Sequence, residues 1–213
     1  MHYSKTDSLY LQLKHDIVHG KLPQNTALKQ TLLAERYGVS RIPIRDTLQR
    51  LKNDGWLSNH GKSSVMIRPL NSSDAEDLYL MRLHLEPMLL GHAIPNINFE
   101  TLGKAQDILL KLKSSEPRDI LQQGELNWQF HRCLYLPADR PALFDTVTQL
   151  HQLCARYIGF QEMELDYLSH SQNEHEALLT ALREDDRQKA NKVLTEHIRI
   201  AGEQLVRYLK QSL

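Results

Sequence analysis

YGVSRIPIRDTLQRLKNDGW, residues 37–56, decides how the front of this chain is read. Gly38 closes whatever precedes it, Ser40 is a natural N-cap, and Gly55 stops the helix that starts after Ser40. Within that helix Ile44, Leu48 and Leu51 share one face at 3.6-residue periodicity. Arg41, Arg45 and Gln49 form a second stripe rotated roughly 100° from the first. One side is suited to a core and the next carries long hydrogen-bond donors.

Working outward, Leu9, Leu13 and Ile17 recur at four-residue steps, so residues 6–19 are expected to form an amphipathic helix ended by Gly20. LPQNTAL is a loop, and KQTLLAERYG is a short helix with Leu32, Leu33 and Tyr37 on one side. Two helices separated only by Gly38 and Val39 have the sequence shape of a helix-turn-helix. After Gly55, WLSNHGKSSVMIR reads as two short strands around an Asn-His-Gly-Lys turn. Near Pro69 the character changes, and Ser73 with Glu76 suggests a capping box. Beyond it the periodicity is almost wholly helical, with six helices expected at 73–94, 99–114, 117–136, 141–164, 169–185 and 187–211. Pro95, Pro117, Pro137 and Pro141 mark the breaks. The expected fold is mainly α. A winged helix-turn-helix of three helices plus a β-hairpin spans 1–68, a linker 69–73, and an all-α six-helix bundle 74–213.

Charge supports a division of labour. The 213 residues carry 26 Lys/Arg and 26 Asp/Glu, yet residues 1–68 hold 11 and 5 while the remainder holds 15 and 21. A front part at +6 joined to a rear part at −6 fits a nucleic-acid-binding domain with a separate partner domain. The chain has no run of eighteen apolar residues, which argues against a membrane span. Its N-terminus lacks the apolar core of a signal peptide, and Cys133 and Cys154 are too few for a disulfide framework. A cytoplasmic protein is expected.

A helix packed by one side and presented by the next fits the major groove, where Arg41 and Arg45 can each donate two bonds to guanine, with Gln49 beside them. Ser40 and the helix N-terminus suit a phosphate, and His60 and Lys62 at the hairpin tip suit the backbone or minor groove as a wing. The simpler alternative is a solvated basic face whose arginines pair with Glu35 or Asp46. The tight turn, the hairpin and the local charge together favour DNA.

LLAERYGVSRIPIRDTLQRLKNDGWLSNHGKSS resembles the winged helix-turn-helix of the GntR family of bacterial transcription regulators. The likeness lies in Leu33-Ala34, Val39-Ser40-Arg41, Pro43, Arg45, Leu48, Leu51, Gly55-Trp56-Leu57 and His60-Gly61, over residues 8–68. It implies that Arg41 and Arg45 read bases and that His60 and Gly61 enter the minor groove. Thr31 departs from the arginine or serine common in FadR-type members.

Three histidines fall on inward faces of three rear helices: His131, with Asn127 one turn before it, His175 beside Leu178, Leu179 and Leu182, and His197 beside Val193, Leu194 and Ala201. Helical bundles build metal sites this way, and imidazole suits zinc or nickel. By spacing alone, three hydrogen-bonded core histidines are the simpler reading. NWQFHRCLY, SQNEHEALLTALREDDRQKA and VLTEHI, however, resemble the signatures of the FCD effector domain of FadR-type regulators, in its short, six-helix variant. The resemblance implies a divalent metal, zinc or nickel, held at Asn127, His131, His175 and His197, with Asn127 standing where the family has aspartate. An amide is a neutral, weaker ligand than a carboxylate. LYLMRLHLEPMLLGHA resembles the first helix of that domain, with Arg82 and Glu86 facing inward. Arg82 is suited to an effector carboxylate, and equally to an i, i+4 salt bridge with Glu86. His84, His92, His151 and His170 are read as surface or satisfied core residues.

The expectation is a DNA-binding transcription regulator, in the simplest case a repressor, not an enzyme. It would bind a palindromic operator as a homodimer and answer to a small organic acid in the helical domain. The alternatives are an architectural DNA-binding dimer without effector and, less simply, a metal-dependent hydrolase; neither an H-E-x-x-H arrangement nor a Gly-rich phosphate loop is present.

Overall fold

In the computed structural model, which describes residues 5–114, 120–164 and 168–212, the chain divides into two compact units, Met1–Pro69 and Leu70–Leu213. The first contains α1 (Lys5–Val18), α2 (Gln30–Tyr37), α3 (Arg41–Asn53) and the antiparallel strands β1 (Leu57–His60) and β2 (Ser64–Ile67). Leu9, Leu13 and Ile17 of α1 meet Ile44, Leu48 and Leu51 of α3 in a core closed by Trp56, all of them buried. Gly38 takes φ +64°, a left-handed conformation that few other residues accept without strain. It lets Gly38 N–H and Val39 N–H bond back to Glu35 and Ala34, so only Gly38, Val39 and Ser40 separate α2 from α3. Asp16 ties α1 to α2, accepting from Tyr37 Oη at 2.8 Å and Arg36 at 3.2 Å.

The hairpin differs in detail from the sequence reading. Asn59 and His60, expected in the turn, extend β1 and pair with Val65 and Ser64. The turn is the three residues between them and Ser64, with Gly61 at φ +66°. Three-residue hairpin loops favour glycine at such a position. Leu28 N–H donates to Val65 C=O at 2.8 Å, so the chain entering α2 lies along the edge of β2.

The second unit is helical throughout its described residues: α4 (Ser72–Ala93), α5 (Phe99–Ser114), α6 (Ile120–Tyr135), α7 (Pro141–Glu164), α8 (Leu168–Arg183) and α9 (Arg187–Ser212). Short 3-10 turns at Ile94–Asn96 and Leu136–Ala138 hold Pro95 and Pro137, as expected of residues that cannot continue a helix. Pro117 and the expected start of α6 at 117 lie outside the described residues. The Ser73–Glu76 capping box is not the device that starts α4. Asn71, in extended conformation, accepts from Ser73 N–H at 2.8 Å and Asp74 N–H at 3.4 Å, so the helix begins at Ser72. Asparagine two residues earlier caps the N–H groups of Ser73 and Asp74 instead, and the helix starts correspondingly earlier.

α4 packs along α9 and α7, α5 against α6 and α8, and α8 against α9. Gly202 of α9 lies so close to Tyr79 of α4 that a Cβ there would stand 2.8 Å from the ring. The core of Leu89, Leu90, Phe130, Leu134, Leu178, Leu194 and Leu205 surrounds an unusual amount of buried polarity: Arg82, Glu86, His131, His151, His175 and His197.

Candidate nucleic-acid interface and metal centre

In the first unit, α3, the segment entering α2 and the hairpin enclose a concave surface of about 460 Å³. Arg41, Arg45, Gln49 and Lys62 line it together. So do Lys29 and Lys52, which the sequence reading passed over, and Thr31. Lys52 was legible, because it stands seven residues after Arg45 and so on the same stripe. Lys29 was not, since only the fold brings it beside α3. The lining contains five cations and no carboxylate. Within it Arg45 reaches Asp46 at 3.0 and 3.1 Å, and Gln49 reaches Asn53 at 2.9 Å. Both members of the Arg45–Asp46 pair are more than half exposed, so the pair contributes little and holds the arginine weakly.

Ser40, His60 and Gly61 do not line this surface. Ser40 occupies the N-cap position of α3, but its side chain makes no capping bond. His60 is exposed, with Nδ1 at 3.2 Å from Met66 Sδ.

In the second unit α6, α8 and α9 bring His131, His175 and His197 together. Each offers one ring nitrogen, all within 4.8 Å of one another, and the residues are 0%, 2% and 6% exposed. Asn127 is half-buried one turn before His131. Burial, then the neighbouring histidines, holds the pKa of His131 and of His175 well below the usual imidazole range, so both are neutral.

Partners fix the tautomers. Tyr135 Oη donates to Glu86 at 2.7 Å and so accepts from His131 Nδ1 at 3.3 Å. His131 Nε2 is then a lone pair, and His175 Nε2, 3.1 Å away, must donate to it. That leaves His175 Nδ1 as a buried acceptor without a hydrogen-bond partner, which is costly by about 1–3 kcal/mol. His197 Nδ1 bonds Glu174 at 2.7 Å, which turns its other nitrogen away from the carboxylate. Imidazoles on three helices, two of them oriented by an oxygen partner and one with an orphaned lone pair, form a donor set that fits a first-row divalent ion.

Beside this cluster Arg82 Nε donates to Glu86 Oε1 at 2.6 Å, both side chains being almost completely buried. His151 Nε2 stands 3.1 Å from the same oxygen, in ion-pair range without hydrogen-bond alignment, and its ring stacks on Trp128. Burial alone would raise the Glu86 pKa; Arg82 and then His151 outweigh it and hold the carboxyl well below its usual range. Of the two readings open for Arg82, the structure contains the internal salt bridge. His84 and His92 are exposed, and His170, half-exposed, pairs with Glu174 at 3.1 Å. Sequence reasoning missed Glu174, Tyr135 and His151 as parts of the centre.

A pH dependence follows from the two depressed histidines. Between their folded values and about 6.5 the unfolded chain binds protons that the folded chain refuses. Their contribution is complete above about pH 6.5. Below it, chelator-treated protein loses about 1.4 kcal/mol per pH unit for each histidine that stays neutral. Urea unfolding at pH 7.5, 6.5 and 5.5 measures this, and a flat profile would contradict the buried neutral assignment.

Two family models match the chain: FCD domain over residues 77–200, and bacterial regulatory proteins, gntR family, over residues 5–67. The chain is 28% identical over 204 residues to the HTH-type transcriptional regulator McbR of Escherichia coli, covering 92% of this chain and 90% of McbR. It is 24% identical over 199 residues to the HTH-type transcriptional repressor GlaR of the same organism, covering 89% and 90%. Among solved structures, E. coli McbR/YncC superposes with a TM-score of 0.71 at 23% identity over 99% of both chains. A GntR family member from Pseudomonas syringae gives 0.57 at 27% identity, over 96% of this chain and 86% of that one. None of the described helices is long and apolar enough to cross a membrane.

Proposed function

The chain belongs to the GntR family of bacterial regulatory proteins, with an FCD domain as its second part, and is a transcriptional regulator; on that premise we propose how it reads DNA and what it senses. α3 enters the major groove with Arg41 and Arg45 toward guanine edges and Gln49 beside them. Lys62, His60, Gly61 and the Ser40 end of α3 meet the backbone and minor groove. The observation that carries this is the concave surface lined by five cations and no carboxylate, among them Arg41 and the weakly paired Arg45.

One such unit spans only a few base pairs, so tight specificity needs two, related by a twofold axis on a pseudo-palindromic operator. The protein acts as a homodimer in the cytoplasm. In the helical unit His131, His175 and His197 hold a divalent metal, zinc or nickel, with Asn127 as a neutral fourth donor. The metal would supply a Lewis-acid anchor for the oxygen atoms of an organic acid. Arg82 serves the effector's other end only where the incoming carboxylate takes over from Glu86. The orphaned His175 nitrogen and the Glu174 bond to His197 support the metal reading.

The test begins with selection of bound duplexes from random DNA. On the selected operator, Arg41→Ala and Arg45→Ala each lose about 1–3 kcal/mol of binding. Lys62→Ala weakens operator and scrambled duplex alike and lowers the salt slope by about one. Fluorescence anisotropy at several salt concentrations reads all three. Unchanged operator affinity in both folded arginine variants would remove α3 from the interface.

A further inference from the structure

Beside the arginine stripe of α3, just outside the lining of the concave surface, stands a residue that neither the core nor polar recognition explains. Ile42 is 64% exposed, in the first turn of the helix, immediately after Arg41. At about 100° per residue it falls within about 20° of Gln49 and about 60° of Arg45, and roughly opposite the buried face of Ile44, Leu48 and Leu51. It is therefore not a core side chain that protrudes. A β-branched residue is also a somewhat weaker helix former than unbranched ones, so local stability does not account for it.

We infer that Ile42 reads the methyl group of a thymine beside the guanine read by Arg41 or Arg45, and so helps to set operator specificity. This rests on the proposal that α3 lies in the major groove. Isoleucine has no donor or acceptor, so it gains nothing from the polar edges of guanine, adenine or cytosine. Thymine alone presents an apolar group in the major groove, its C5-methyl. The N-terminal turn of a recognition helix is the part that meets base edges, and Ile42 stands there with an arginine beside it in sequence and another one turn on. Each half-site then contains thymine next to guanine.

The experiment uses the full-length protein and the operator selected with it. Each thymine is replaced in turn by uracil, which removes only the methyl group. At one thymine per half-site the replacement weakens wild-type binding about fourfold, the worth of one buried methyl. The same replacement leaves Ile42→Ala unaffected, while Ile42→Val retains the sensitivity. Because Ile42 is exposed, its variants keep the wild-type melting temperature. Ile42→Ala that responds to uracil as the wild type does, or half-sites without a sensitive thymine, overturn the inference and leave the arginine reading intact. Failure to select any preferred sequence overturns both.

Discussion

Glu86→Gln is expected to lower the unfolding free energy by about 3–5 kcal/mol, the usual cost of removing one partner from a buried ion pair. Glu86 is completely buried and takes Arg82, Tyr135 and His151 on its two oxygens. An amide keeps the shape but leaves the Arg82 charge uncompensated in the interior and misdirects the Tyr135 hydroxyl. Arg82→Met combined with Glu86→Leu removes both charges and should recover most of the loss, since apolar replacement of a whole buried pair is often neutral. Chemical denaturation monitored by circular dichroism compares the three proteins. A Glu86→Gln variant within about 0.5 kcal/mol of wild type, the range of ordinary surface changes, would contradict this account of the buried pair.

The histidine cluster carries the second large effect. Calorimetric titration of chelator-treated protein with zinc or nickel is expected to show one site per chain, and His175→Ala or His197→Ala to abolish it. Binding to the folded state alone adds about 2.7 kcal/mol of stability at a hundredfold excess over Kd. Asn127→Asp tightens binding by restoring an anionic ligand. Glu174→Gln weakens it about tenfold, because the carboxylate that orients His197 becomes an amide. Equal titration of wild type and both histidine variants would return these residues to the core.

What the sequence revealed and what it hid follow from the range of the interactions. The front unit was legible because its signals are local: Gly38 and Gly55 end helices, Ser40 starts one, and the α3 faces separate by periodicity. The three histidines could be gathered for the same reason, since each shares a helical face with leucines that must turn inward. The start of α4 was misplaced because Asn71 and Ser73 are both good caps two residues apart, and local pattern does not rank them. The surrounding network was hidden because its partners are remote in sequence. Tyr135 meets Glu86 across 49 residues, His197 meets Glu174 across 23, and no periodicity in either helix marks the pairing. Lys29 joined the basic surface only through the Leu28–Val65 pairing that sets the chain beside β2.

The central claim is that α3 reads bases through its arginine stripe. Its most direct test replaces each guanine of the selected operator by 7-deazaguanine, which deletes the N7 acceptor and little else. The account predicts at least one guanine per half-site where the replacement weakens wild-type binding by about tenfold, with that sensitivity absent in Arg41→Ala or Arg45→Ala. Wild type and both arginine variants responding identically at every guanine would contradict it.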